Sequence, residues 1–303
     1  MLSDKPWKAD AVLRLGASIV VCMFLGMLAG AVVRFLGAPR KAEAALLSVA
    51  VAGACGLYGG ALFFLRGPWP FEKFTRYFMA LVVCVYGGLM LNWWALHLLG
   101  ETGAAESSTV TLVIGVFSFQ GVALVLVHRF LREHATGWRQ GFGLNHRPAR
   151  AIGSGVLAAF ALFLVCQVLQ RVSADAMAHF HIRSEEQSAV QIARDAGGWA
   201  ERLVLMVATI FIVPPTEEIL FRGILYPAIK LRGFPRTALW GTAIGFAAIH
   251  QNLTIFLPLI VLALVFTWLY EKTENLLAPI TAHAVFNAIG FAALTVQTLG
   301  KGG

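Results

Sequence analysis

The chain alternates long apolar runs with short polar segments that carry most of its charge. The first run, residues 15–33, is 19 residues long, which as a helix is about 28 Å and enough to cross a hydrocarbon core of about 30 Å. Comparable runs place further spans near 44–65, 77–99, 109–127 and 151–170, then 199–229, 237–250, 253–270 and 275–299. The pattern predicts an all-α polytopic membrane protein with about nine transmembrane helices. Residues 1–150 are expected to form an N-terminal transmembrane region of about four helices, 151–198 a linking helix and polar loop, and 199–303 a separate helical bundle. Ala29-Gly30-Ala31 resembles a signal-peptidase site. The run before it exceeds the usual h-region of about 7–15 residues, so it is read as a retained span.

Composition agrees with this pattern. Of 303 residues, 58% are hydrophobic and 13% charged, against about 25% charged in soluble domains, and the mean hydropathy is +0.73. The four cysteines, Cys22, Cys55, Cys84 and Cys166, all lie inside apolar runs without metal-type spacing, and read as small core hydrophobes. The net charge of +8 forms no continuous basic face with interleaved aromatics, so nucleic acid is not an expected partner. Lys and Arg instead divide unevenly about the spans, 15 flanking one side and 8 the other. The richer side includes the N-terminus and the 128–150 loop, which are therefore expected to be cytoplasmic.

A few charges fall inside a span, where each costs roughly 2.5–3.5 kcal/mol and so marks a functional candidate. The 199–229 run contains Pro214-Pro215-Thr216-Glu217-Glu218-Ile219-Leu220-Phe221-Arg222. Glu218 and Arg222, four residues apart, can pair along one helix face. Glu217 is turned by about 140° from Arg222 and faces another neighbour. That split suits one structural carboxylate and one general base. The prolines withhold two backbone donors and should kink or loosen the helix. His283 and Asn287 share a face at i,i+4, and Phe246 and His250 have the same spacing. Glu217, His250 and His283 lie 13, 14 and 11 residues from Lys230, Arg236 and Lys272, a common depth of roughly 16–21 Å. Taken singly, each histidine reads as an ordinary core residue; the matched set points to chemistry. Gln251-Asn252 is either a plain turn or part of the same cavity. His179 and His181 with Glu185 and Glu186 lie in a polar segment beside Arg183 and read as a solvated face.

The three motifs, EExxxR at 217–222, FxxxH at 246–250 and HxxxN at 283–287, resemble the signatures of the CPBP intramembrane proteases. That family contains the type II CAAX prenyl endopeptidases and the bacteriocin-processing or self-immunity proteins. The resemblance covers residues 199–299. It implies that Glu217 and His250 activate a water, that His283 and Asn287 stabilise the oxyanion, and that Glu218 and Arg222 hold the helix. It further implies a peptide or membrane-protein substrate, prenylated where the host prenylates proteins, met in contact with membrane lipid. A carboxylate and two imidazoles could also hold zinc. The helix lacks His-Glu-x-x-His, and a metal-free glutamate mechanism is favoured. No Gly-x-Ser-x-Gly elbow and no intramembrane aspartate pair supports another protease class. Two non-proteolytic readings stay open, an immunity or scaffold protein and, less favoured, a proton-coupled transporter.

Overall fold

The computed structural model describes residues 5–20, 23, 117–181, 190–191, 194 and 199–300. The expected spans at 44–65 and 77–99, most of 15–33, residues 109–116 of the span at 109–127, and Cys22, Cys55, Cys84, Glu185 and Glu186 lie outside the described residues. Among those described there is helix and no strand. They fall into two compact units, one within 8–133 and the other within 1–7 and 134–303.

In the first unit, helix α1 (9–20) and helix α2 (Val122–Glu133) carry an ion cluster. Arg14 pairs with Asp10 at 2.9 Å and also with Glu133.

The second unit holds the remaining helices. After the short α3 (Trp138–Gly141), α4 (Pro148–His179) runs for 32 residues, about 48 Å. It opens on a proline at its first turn, where a missing N–H costs nothing. Next comes a rod of α5 (Trp199–Val207), α6 (Val213–Glu218) and α7 (Tyr226–Lys230), joined end to end by π-helical turns at Ala208–Ile212 and Ile219–Leu225. Pro214 and Pro215 follow the first π turn, so the loosening expected of them takes the form of a widened turn. Helices α8 (Pro235–Ala248), α9 (Phe256–Thr273) and α10 (Leu277–Gly300) complete the bundle. Among the described residues, four stretches are long and apolar enough to cross a membrane: Pro148–His179, Arg202–Lys230, Phe256–Thr273 and Leu277–Gln297.

Most boundaries shift by two or three residues, and two shifts change the picture. Helix α4 continues nine residues past 170, because hydropathy marks the apolar slab while the helix runs on through helix-compatible polar residues to His179. Helix α8 ends at Ala248, so His250 lies in the following turn and not on the helix itself. Gln251 closes that turn, its amide donating to the Ala248 carbonyl at 3.1 Å, and Asn252 follows it. Gln251 is exposed with φ 50°, and Asn252 Oδ1 accepts from the Ile255 amide at 3.3 Å.

Packing in this unit uses small residues where backbones meet. Ala151, Gly155 and Ala159 form an i,i+4 stripe on α4 against α10, and a Cβ on Gly155 would fall 2.5 Å from the Ala278 carbonyl oxygen. Such close approach is how helices associate without a hydrophobic driving force between them. Leu162, Cys166, Phe246, Leu262, Phe266 and Ala282 fill the centre. The opposite face of α4 is apolar and exposed, with Leu157 75% accessible, the inside-out arrangement of a lipid-facing helix. His179 and His181, read as a solvated face, are both exposed.

Candidate active site

The rod delivers Glu217 and Glu218 from the end of α6 and Arg222 from the π turn that follows. Glu218 is 0% and Arg222 1% accessible. They pair as expected, Arg222 Nη1 donating to Glu218 Oε1 at 2.8 Å. Arg222 Nη2 donates to the Ala263 carbonyl of α9 at 3.1 Å, and the guanidinium lies 4.7 Å from the Phe246 ring and 5.4 Å from Phe266. A planar fork with an ion-pair partner, a carbonyl and two aromatic faces can rest at this depth; a bare ammonium could not make all of these contacts. Arg222 therefore ties the rod to α8 and α9.

His283 reaches in from α10, buried and set between the two carboxylates. Its Nδ1 lies 3.0 Å from Glu218 Oε1 and its Nε2 3.9 Å from Glu217 Oε2. Glu218 Oε1 thus accepts from Arg222 Nη1 and, in the same place, from Nδ1–H of His283. Phe266 lies against the imidazole at 5.3 Å. Glu218 thus orients the histidine as well as the arginine, a role that spacing within one helix could not reveal.

His250, partly buried, places Nδ1 2.7 Å from the Phe246 carbonyl oxygen. That oxygen belongs to the last turn of α8, where the His250 amide turns aside to the Ala247 carbonyl at 3.2 Å and leaves the Phe246 carbonyl to the imidazole. The Nδ1–H must donate there, which leaves the Nε2 lone pair free to accept a proton. The Phe246 ring lies 5.0 Å from His250 and 5.9 Å from His283 and is packed by Phe221, so it separates the imidazoles and fixes both. Asn287, one turn beyond His283 on α10, donates Nδ2–H to the Thr209 carbonyl at 2.8 Å. Thr209 lies in the first π turn. Its second amide hydrogen stays available.

All six residues singled out from sequence, Glu217, Glu218, Arg222, His250, His283 and Asn287, lie in this one unit, and the contacts above link five of them directly or through Phe246. Asn287 is tied to the rod one π turn before Glu217. Three polar atoms, Glu217 Oε2, Glu218 Oε2 and Arg222 Nε, are buried without a hydrogen-bond partner among the described residues. Phe266 and the carbonyls of Ala263 and Thr209 had not been anticipated. A backbone carbonyl has no signature in sequence, and Phe266 is one of many apolar residues in its run. Among the described residues, no group of three His, Cys, Asp or Glu side chains is disposed to hold a metal.

Comparison with known proteins agrees with the motifs. Residues 199–289 match the family model described as type II CAAX prenyl endopeptidase Rce1-like, which bears out the resemblance read from the sequence. The chain is also 30% identical over 84 residues to UPF0177 protein YxdF of Lactococcus lactis subsp. lactis (strain IL1403), a match covering 27% of this chain and 46% of that relative. The chain therefore spans about half the length of this curated relative. No solved structure matches.

Proposed function

We propose that this protein is an intramembrane endopeptidase whose site is built from Glu217, Glu218, Arg222, His250, His283 and Asn287. The observation that carries the reading is the buried carboxylate of Glu217, unpartnered at Oε2 and facing the Nε2 of a histidine held by a second carboxylate. A general base needs a lone pair free to take a proton, beside donors fixed before the reaction begins.

In this mechanism Glu217, assisted by the free Nε2 of His250, removes a proton from water as its oxygen attacks the peptide carbonyl. Charge develops on the carbonyl oxygen. It is met by Nε2–H of His283 and the second amide hydrogen of Asn287. For His283 to donate at Nε2 while Nδ1 stays on Glu218, the ring must carry both protons, a cation flanked by the two glutamates. Collapse of the intermediate passes the proton from Glu217 to the departing amine. Glu218 and Arg222 position His283 and touch no reacting atom.

The substrate class is a peptide or membrane-protein segment, of the prenylated C-terminal kind or the peptide-processing kind. We further infer about nine spans with the N-terminus cytoplasmic, a catalytic bundle at 199–303, and an N-terminal region of separate role. The test is substrate trapping in membranes. Glu217→Gln should retain bound partners that the wild-type protein cuts, and Glu217→Ala should lower cleavage at least about 100-fold at unchanged expression. Wild-type cleavage by Glu217→Ala would sink the mechanism. A biological phenotype that survives this substitution while no proteolysis can be detected would favour the scaffold or immunity reading.

A further inference from the structure

A second site lies away from the glutamates. Lys5, His134, Arg139, His146, Tyr270 and Glu274 are among the residues lining a cavity of about 690 Å³, within the size range of small-molecule and headgroup pockets. A depression of about 30 Å³ adjoins it, shares His146, and adds Arg147, Arg150 and Lys272. Five Lys and Arg side chains and two imidazoles therefore line the pair, against one carboxylate, Glu274.

Position and rigidity give this charge its meaning. The cavity borders the start of α4 at Pro148 and the end of α9 at Thr273, two helices apolar and long enough to span a membrane. It therefore sits where hydrocarbon gives way to water. Its frame is fixed: Asn275 donates Nδ2–H to the His146 carbonyl at 2.7 Å, and the Leu276 amide donates to the Phe142 carbonyl at 3.1 Å. Lys5 donates to the Gly141 carbonyl with Trp7, Phe142 and Tyr270 rings 5.7–5.9 Å from its ammonium. Arg139, Arg147 and Arg150 are exposed and have no carboxylate within ion-pair distance among the described residues.

We propose that this basic cavity binds the phosphate headgroup of an anionic glycerophospholipid, whose acyl chains lie along the apolar outer faces of the adjoining helices. Guanidinium forks match phosphate oxygens, and basic pockets between membrane helices at the interface select acidic headgroups. The proposal does not depend on the proteolytic reading.

The test uses the full-length protein in detergent micelles with fluorescent phosphatidylglycerol and phosphatidylcholine of matched chains. The wild-type protein should bind the anionic lipid about tenfold more tightly. Arg139→Gln/Arg147→Gln/Arg150→Gln should reduce that preference below about threefold, and Arg139→Gln alone should weaken it measurably, so that misfolding of the triple variant would not hide the result. The control Arg232→Gln/Arg236→Gln removes charge elsewhere and should leave the preference intact. Equal loss in the control would mean diffuse attraction and would overturn the site. So would a wild-type protein with no preference. Full displacement by millimolar inorganic phosphate would overturn the lipid as the ligand in favour of a soluble phosphate.

Discussion

Glu217 and Glu218 are chemically identical neighbours with different surroundings. Glu218 Oε1 accepts from both Arg222 and His283, whereas Glu217 Oε2 accepts from nothing among the described residues. Substitutions should separate them by what they damage. Arg222→Ala leaves Glu218 buried without its counter-charge, a loss of about 3–5 kcal/mol for a broken buried pair, and should lower the thermal unfolding temperature in detergent sharply. Glu217→Gln keeps shape and breaks no hydrogen bond at Oε2, so unfolding should move far less than in Arg222→Ala while cleavage is lost. If Arg222→Ala unfolds like wild type, the structural role given to that pair is wrong. The Glu218–Arg222 pair was legible in the sequence because i,i+4 geometry is local. The His283–Glu218 contact was not, since the two residues are 65 apart.

At the scale of elements, small residues decide how closely α4 and α10 approach. Gly155 has no room for a Cβ: the Ala278 carbonyl oxygen, Thr281 Cβ and Ala282 amide would all lie within 3.1 Å of one. Gly155→Leu should therefore separate the helices and cost more than the roughly 1–3 kcal/mol typical of overpacking, read as a lower unfolding temperature. Gly153, with nothing within 4 Å of a Cβ, serves as the control, and Gly153→Ala should be neutral or slightly stabilising. An equal response at both positions would refute the packing argument. Apolar runs in the sequence located most of these helices, yet they could not tell which glycine faced a neighbour and which faced lipid. They also missed the π turns, because the widened geometry depends on what the freed carbonyls can meet, as Thr209 meets Asn287.

Within the larger unit, the N-terminal residues reach parts of the chain far away in sequence. Trp7 donates its indole N–H to the Gly223 carbonyl at 3.0 Å, across 216 residues and next to Arg222, and Lys5 closes the basic cavity. Burial pushes the Lys5 ammonium down to about 8 from its ordinary 10.5, against the favourable charge of Glu274. Between those two pH values the unfolded chain holds the proton and the folded one does not, so docking of this segment should strengthen as pH rises from about 8 toward 10.5. Amine labelling of Lys5, followed by mass spectrometry across pH, should show a midpoint near 8. A midpoint above 10 would mean that the segment is not docked.

By itself the sequence determined the solvent of this protein, the helical class of its C-terminal third and the identity of the candidate residues, because hydropathy and i,i+4 spacing are properties of neighbouring positions. Only the tertiary structure decided how those residues are used. It placed His283 between two glutamates, fixed the tautomer of His250 through a helix-end carbonyl, and gave Arg222 a carbonyl and two rings on other helices. Such contacts depend on backbone oxygens and side-chain directions brought together across tens of residues, and neither leaves a local pattern in the chain.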